Sequence, residues 1–213
     1  HRRLILPQLA GPGVAAHEVK KRCGFGVVYG PVRAEDIPAF LENGLKATAE
    51  MRIKTFDTWE RIVLIPGELV EALKAAIVVL PALFLLGGLG GPATFWSNAF
   101  NHGSFAAFAV LLAILAGAVL TPFLLPWVPG RAFSVKGFLL GLVMVAILGS
   151  LRFHMAGSLP GQLEILSWFF LVPALSGYLG MNFTGASTYT SLSGVKREMR
   201  WALPLDIIGG IVG

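Results

Sequence analysis

Apolar residues are arranged in two different ways along the chain. Over residues 1–58 short apolar groups are broken every few positions by polar ones, whereas from Ala72 onward they merge into long runs. Those runs predict transmembrane helices at about 72–89, 105–128, 135–153 and 163–181, each near the ~20 residues that a helix needs to cross the hydrocarbon. A further run over 205–213 predicts the start of a fifth. In the first part, Leu4-Ile5-Leu6-Pro7 reads as a short buried strand, and Gly11-Pro12-Gly13 as a loop leading into a helix from about Val14 to Arg22. Val27-Val28-Tyr29 predicts a second strand, closed by Gly30-Pro31. Ala34-Glu35-Asp36 then starts a helix on which Ile37, Phe40 and Leu41 share one face, and Asn43-Gly44 stops it.

The order strand, helix, strand, helix favours a parallel α/β arrangement. About fifty residues with two short strands are too few for a complete sheet. The expectation is therefore the C-terminal end of a larger cytoplasmic α/β domain over 1–58, an interfacial linker over 59–71, and an all-α transmembrane domain over 72–213. In the linker, Ile65-Pro66-Gly67 is expected to break the chain ahead of Glu68, Glu71 and Lys74, which suit a helix entering the headgroup zone.

Composition agrees with a lipid solvent: 55% of residues are hydrophobic and 14% charged, against about 25% charged in soluble domains. Residues 1–61 hold 10 of the 17 Lys and Arg and 7 of the 12 Asp and Glu, leaving 7 and 5 for the rest. Charge also orients the spans, because cytoplasmic loops carry the excess of Lys and Arg. With the first part inside, residues 90–104 fall outside and contain neither, while Arg131 and Lys136 lie in the next inner loop. The third loop has only the edge residue Arg152, and the inner loop after the fourth span carries Lys196, Arg197 and Arg200. Trp96, Trp127, Trp168 and Trp201 fall near span ends, where indole rings favour the interface. A multi-pass protein of the cell (inner) membrane is expected, with its N-terminal part in the cytoplasm, since no apolar stretch of the secretory type follows the basic start.

Candidate chemistry is sparse. The spans offer Thr121, Ser150, Ser167 and Ser176 as weakly polar groups, so an anchor is favoured over a pore. Gly117, Pro122, Pro126, Gly141 and Pro173 suit close packing and kinks. His1, His17, His102 and His154 have no i,i+4 pairing of a helical metal site. Cys23, beside Lys20-Lys21-Arg22, is the sole cysteine; it excludes an internal disulfide and a four-thiolate iron–sulfur cluster within this chain. Asn182-Phe183-Thr184 is a glycosylation sequon on the expected inner side. The stretch from Asn182 to Pro204, with its hydroxyl-rich Thr184-Gly185-Ala186-Ser187-Thr188-Tyr189-Thr190-Ser191 and three following cations, reads either as an anion contact or as a solvated loop.

Two segments carry a resemblance. His1-Arg2-Arg3-Leu4-Ile5-Leu6-Pro7-Gln8-Leu9-Ala10-Gly11-Pro12-Gly13-Val14 and Val27-Val28-Tyr29-Gly30-Pro31-Val32-Arg33-Ala34-Glu35-Asp36-Ile37-Pro38-Ala39-Phe40-Leu41 resemble the end of the Rossmann-like corrinoid-binding domain of the corrinoid iron–sulfur protein family of the acetyl-CoA pathway. The second matches that family's Gly-Pro-x-x-Ala-x-x-Ile-Pro pattern. Asn182-Phe183-Thr184-Gly185 through Ser191-Leu192-Ser193-Gly194-Val195-Lys196-Arg197-Glu198-Met199-Arg200 is similar to the branch in which this domain is joined to membrane spans, the mercury-methylating corrinoid proteins of anaerobic microbes.

The resemblance implies a cobalamin-type corrinoid whose cobalt carries a methyl group to Hg(II), giving methylmercury, with a ferredoxin-like iron–sulfur protein supplying electrons and a methyl donor protein upstream. It implies no nucleic-acid partner. Gly30 and Pro31 would allow close backbone approach, Arg33 would pair a carboxamide or phosphate oxygen, and Ile37-Pro38 would pack on the corrin edge. The family's cobalt-ligating cysteine stands in Asn-x-Trp-Cys-Ala-x-Gly-Lys, which this sequence lacks; Lys21-Arg22-Cys23-Gly24-Phe25 does not match it. That motif is expected upstream of His1, so this chain alone is expected to be inactive. Two other functions stay open: a membrane corrinoid methyl carrier of one-carbon metabolism, and a non-catalytic membrane scaffold or transporter subunit.

Overall fold

The computed structural model describes residues 2–89, 91–153, 159–186 and 192–213. It is 75% helical, and the chain divides into two compact units, His1–Thr55 and Phe56–Gly213.

In the first unit, β1 (Arg3–Leu6) and β2 (Gly26–Tyr29) pair in parallel, from Arg3 opposite Gly26 to Leu6 opposite Tyr29. Parallel pairing requires a crossover, supplied here by a short 3-10 turn and α1 (Ala16–Cys23). Helix α1 ends where Gly24 turns left-handed at φ 72° and donates its N–H to the Lys20 carbonyl, a conformation that favours glycine. The Tyr29 hydroxyl donates to the Val14 carbonyl and ties β2 to the start of the crossover. Helix α2 (Ile37–Glu42) carries Phe40 to complete burial. Ile37 and Leu41, expected on the same buried face, are 39% and 50% exposed, because the sheet is only two strands wide. A Rossmann-like domain is not evident in it.

The second unit begins with α3 (Thr58–Gly87). Residues 59–71 are therefore helical throughout, and the break expected at Ile65-Pro66-Gly67 is absent. Asp57 caps α3 by accepting the Glu60 N–H at 2.8 Å, and Pro66 lies within it. Proline removes one intrahelical hydrogen bond without ending the helix where neighbouring turns and packing carry the backbone through. The other long helices are α4 (Phe95–Phe123), α5 (Phe133–Phe153), α6 (Leu159–Ala186) and α7 (Leu192–Val212). Helix α4 contains two wider π-helical stretches, Ala99–Gly103 and Leu115–Leu120.

Among the described residues, four helices, α3 to α6, are long and apolar enough to cross a membrane. The four expected spans are thus present, each helix extending beyond its apolar run or ending earlier by a few residues. The fifth segment is longer than expected: α7 starts at Leu192, so Pro204 is inside a helix and Lys196, Arg197, Glu198 and Arg200 occupy its first turns. Likewise α6 continues through Asn182 to Ala186, where a loop was expected.

The bundle core joins Ala72 and Ala76 of α3, Ala109, Val110 and Ala113 of α4, Val145 and Leu148 of α5, and Trp168 and Val172 of α6. Small residues bring the helix backbones together. A Cβ built on Gly137 would stand 2.3 Å from the Ser176 carbonyl oxygen, and one on Gly103 2.4 Å from that of Phe84. Ser176, fully buried, donates its hydroxyl across to the Ala113 carbonyl at 3.2 Å. Thr121 and Ser150 instead satisfy carbonyls of their own helices, Ala116 and Ile147. Trp168 is a correction: it is 9% exposed and packs edge-on to Phe105, whereas Trp96, Trp127 and Trp201 are exposed.

The outer surface is apolar. Ile77 and Val78 of α3 are each 72% exposed, and 6% of the apolar window of α3 is buried inside the protein against 44% for α4 and α6. In water such a face would be an aggregation surface; in a bilayer it meets acyl chains.

Candidate functional site

The carboxyl ends of parallel strands are where α/β sheets place ligands, because the chain leaves each strand there into a loop. In the first unit β1 runs into Pro7, and β2 into Gly30-Pro31. The two exits bound a cavity of about 260 Å³, walled by Ile5, Leu6 and Pro7 on one side and by Gly30, Pro31, Arg33 and Ile37 on the other. Four of the five residues assigned to a cofactor from the resemblance therefore line one cavity. Pro38 is not among its lining residues; it sits in the first turn of α2, where a missing N–H costs nothing.

Each residue is held for a local reason. The Gly30 N–H donates to the Leu6 carbonyl at 2.7 Å, extending the strand ladder by one step. A Cβ there would come within 3.1 Å of Ile5 and 3.6 Å of Phe40. The absence of a side chain at Gly30 is thus used by packing inside the unit. Arg33 donates to the Thr55 hydroxyl and also lines a second, more polar hollow of about 370 Å³ with Asp36, Thr48 and Glu50. The guanidinium stands between two cavities with part of its donor set in use. The Val32 N–H, bonded to the Met51 carbonyl at 2.9 Å, fixes the loop that carries Arg33.

The other sequence candidates lie apart from this cavity. Cys23 is exposed at the end of α1. His17 is exposed and lies 3.9 Å from Glu18. His102 is in the bundle, where its Nδ1 approaches Glu164 Oε2 at 3.1 Å. His1, His154 and residues 187–191 of the hydroxyl-rich stretch lie outside the described residues. Among the described residues there is no group of three or more His, Cys, Asp or Glu placed to hold a metal ion.

Sequence reading missed the charged groups of the bundle. Glu164 lies inside the expected fourth span, yet it receives His102 from α4 and, at 3.5 Å, Arg152 from α5. Arg152 also stacks over Phe105, 4.7 Å from the ring centroid. Glu198 of α7 accepts the Ser134 N–H at the start of α5 at 2.7 Å. An ionisable residue within an apolar stretch is the available signal for such sites, and Glu164 and Asp206 carry it, whereas Glu198 stands among Lys196, Arg197 and Arg200 and does not.

The loop from α4 to α5 turns at Gly130, whose φ is 104°, a region open almost solely to glycine. Gly130→Ala is expected to destabilise the bundle by about 1–3 kcal/mol, measured as a lower unfolding midpoint in detergent; an unchanged midpoint would show that the turn tolerates a side chain.

The fold and its polar groups define a multi-span helical membrane protein bearing a small parallel α/β unit. Comparison with protein-family models, curated proteins and solved structures yields no match.

Proposed function

We propose that this chain is part of a membrane-anchored corrinoid protein that passes a methyl group to Hg(II), and that its first unit contributes one edge of the corrinoid site. The observation that carries the proposal is the convergence of Gly30, Pro31, Arg33 and Ile37 on one cavity at the carboxyl ends of two parallel strands, residues first picked out by resemblance alone. Apolar walls with one cation beside them suit the edge of a large flat ring carrying amide side chains. At about 260 Å³ the cavity lies below the 300–1,000 Å³ of a full small-molecule site, so the residues present fit an edge of the group and not the whole of it.

On this reading Ile37 and Pro31 exclude water from the ring edge, and Arg33 exchanges the Thr55 hydroxyl for an amide oxygen of the cofactor. When bound, the corrinoid supplies the cobalt that carries the methyl group. No residue of this chain is assigned as cobalt ligand. The helical bundle anchors the protein in the membrane, and the first unit is on the cytoplasmic side. There a ferredoxin-like iron–sulfur protein and a methyl donor protein have access to it.

The test is anaerobic production of the complete protein with cobamide supplied. A corrin absorbance that survives gel filtration, and methylmercury formed from Hg(II), are expected. Arg33→Ala and Ile37→Asp are expected to reduce corrinoid retention about tenfold or more, the loss of one charge-assisted contact or one apolar wall. A colourless protein after reconstitution overturns the reading.

A further inference from the structure

A third cavity belongs to the bundle and is independent of the corrinoid reading. It measures about 550 Å³ and lies where the start of α3 meets the turn from α4 into α5. Three cations line it: Arg61, Arg131 and Lys136. No carboxylate lines it, and no carboxylate among the described residues forms an ion pair with any of the three.

Two of these cations are buried. Arg61 is 4% exposed and Lys136 9%. Arg61 is aligned from within its own helix cap, with Nη1 donating to the Phe56 carbonyl at 3.1 Å and Nη2 to the Thr58 hydroxyl at 2.9 Å. Its Nε is buried without a hydrogen-bond partner. The Lys136 ammonium donates to the Leu125 carbonyl, using one of its three donors. Arg131 follows the left-handed turn at Gly130 and is exposed at the mouth.

Buried cations without carboxylates are costly, because each loses its hydration and like charges round one hollow repel. An anion offsets both effects and gives Arg61 Nε its missing acceptor. We propose that this cavity binds a phosphate group carried by a molecule of net negative charge. Its oxygens accept charge-assisted bonds from Arg61 and Lys136 inside and from Arg131 at the rim. The cavity is roomy enough for a phosphate with its attached glycerol, and it lies at an end of apolar helices, where basic pockets receive anionic lipid headgroups. A free phosphate presents the same chemistry.

The test uses the full chain, purified in neutral detergent and stripped of lipid, with its thermal unfolding midpoint as the readout. Phosphatidylglycerol, phosphatidylcholine and inorganic phosphate are added separately. The expected result is a rise with phosphatidylglycerol and none with phosphatidylcholine. Arg131→Gln and Lys136→Met are each expected to weaken the apparent affinity about tenfold. Arg131 is exposed and outside the core, so its variant tests the site even if Lys136→Met folds poorly. A response to inorganic phosphate that is lost in Arg131→Gln identifies a free phosphate as the ligand; a response to phosphatidylglycerol alone identifies a lipid. Equal responses to phosphatidylglycerol and phosphatidylcholine, unaltered responses in both variants, or no response to any of the three overturn the proposal.

Discussion

Alanine at Gly137 is expected to lower the stability of the bundle by about 1–3 kcal/mol, while alanine at Gly67 is expected to leave it unchanged or raise it by up to about 1 kcal/mol. Both glycines lie within helices, so intrinsic helix propensity favours alanine equally at each. Their surroundings differ. Nothing lies within 4 Å of a Cβ at Gly67, whereas at Gly137 it would stand 2.3 Å from the Ser176 carbonyl oxygen and 3.2 Å from Gly177 Cα. That neighbour is helix backbone and cannot rotate away, so α5 and α6 must separate. Separation also threatens the hydrogen bond from Ser176 to Ala113, which joins α6 to α4. Thermal unfolding of the two variants in one detergent compares them directly. The same sign of change at both positions would refute close backbone packing as the principle of this bundle.

Glu164→Gln is expected to cost about 2 kcal/mol, below the 3–5 kcal/mol of a fully buried broken pair because these side chains retain some access. Glu164 and Arg152 are 19% and 18% exposed, and His102 32%. A carboxylate only accepts, so His102 Nδ1 carries the proton in this contact. Removing the charge leaves the Arg152 guanidinium, among the described residues, with the Phe105 ring and a neutral amide oxygen, and Phe105 in turn packs on Trp168. Helices α4, α5 and α6 therefore lose their shared polar anchor together. A double-mutant cycle with Arg152→Gln measures the coupling, expected at about 1 kcal/mol. Additive losses would mean that the two residues act separately.

The spans were legible because an uninterrupted apolar run needs no partner to be recognised; length and hydropathy suffice. The strands and crossover helix of the first unit were legible from short apolar groups and their glycine boundaries. Local punctuation was harder to read. Pro66-Gly67 looks like a break, yet the stronger local signal is Asp57 with Glu60 three residues later, the pattern of a helix cap, and it starts α3 well before the apolar run. Trp168 was read by its position near a span end, but burial depends on which helix face meets Phe105. The charged groups show the limit most clearly. His102 and Glu164 are 62 positions apart, and Arg61 meets Arg131 and Lys136 only where the start of α3 comes to the turn from α4 into α5. In the sequence Arg131 and Lys136 serve only to orient a loop and Arg61 is one charge among those of residues 1–61, and their convergence is a tertiary fact.

In the first unit, the residues taken from resemblance were scattered through a loop, a turn and a helix start. Their gathering follows from their places within residues 30–38, directly after β2; parallel pairing adds the facing wall of Ile5, Leu6 and Pro7, because it sends both strand exits the same way. Arg33 bonding to Thr55 was not foreseeable, since Thr55 belongs to the polar stretch after α2.

The lone thiol gives the molecule a built-in reporter. Cys23 is the single cysteine of the chain and is exposed on the surface of the first unit. In this chain produced by itself, a membrane-impermeant maleimide therefore has one position to modify, and reads the side of the bilayer on which that unit stands without any change to the sequence.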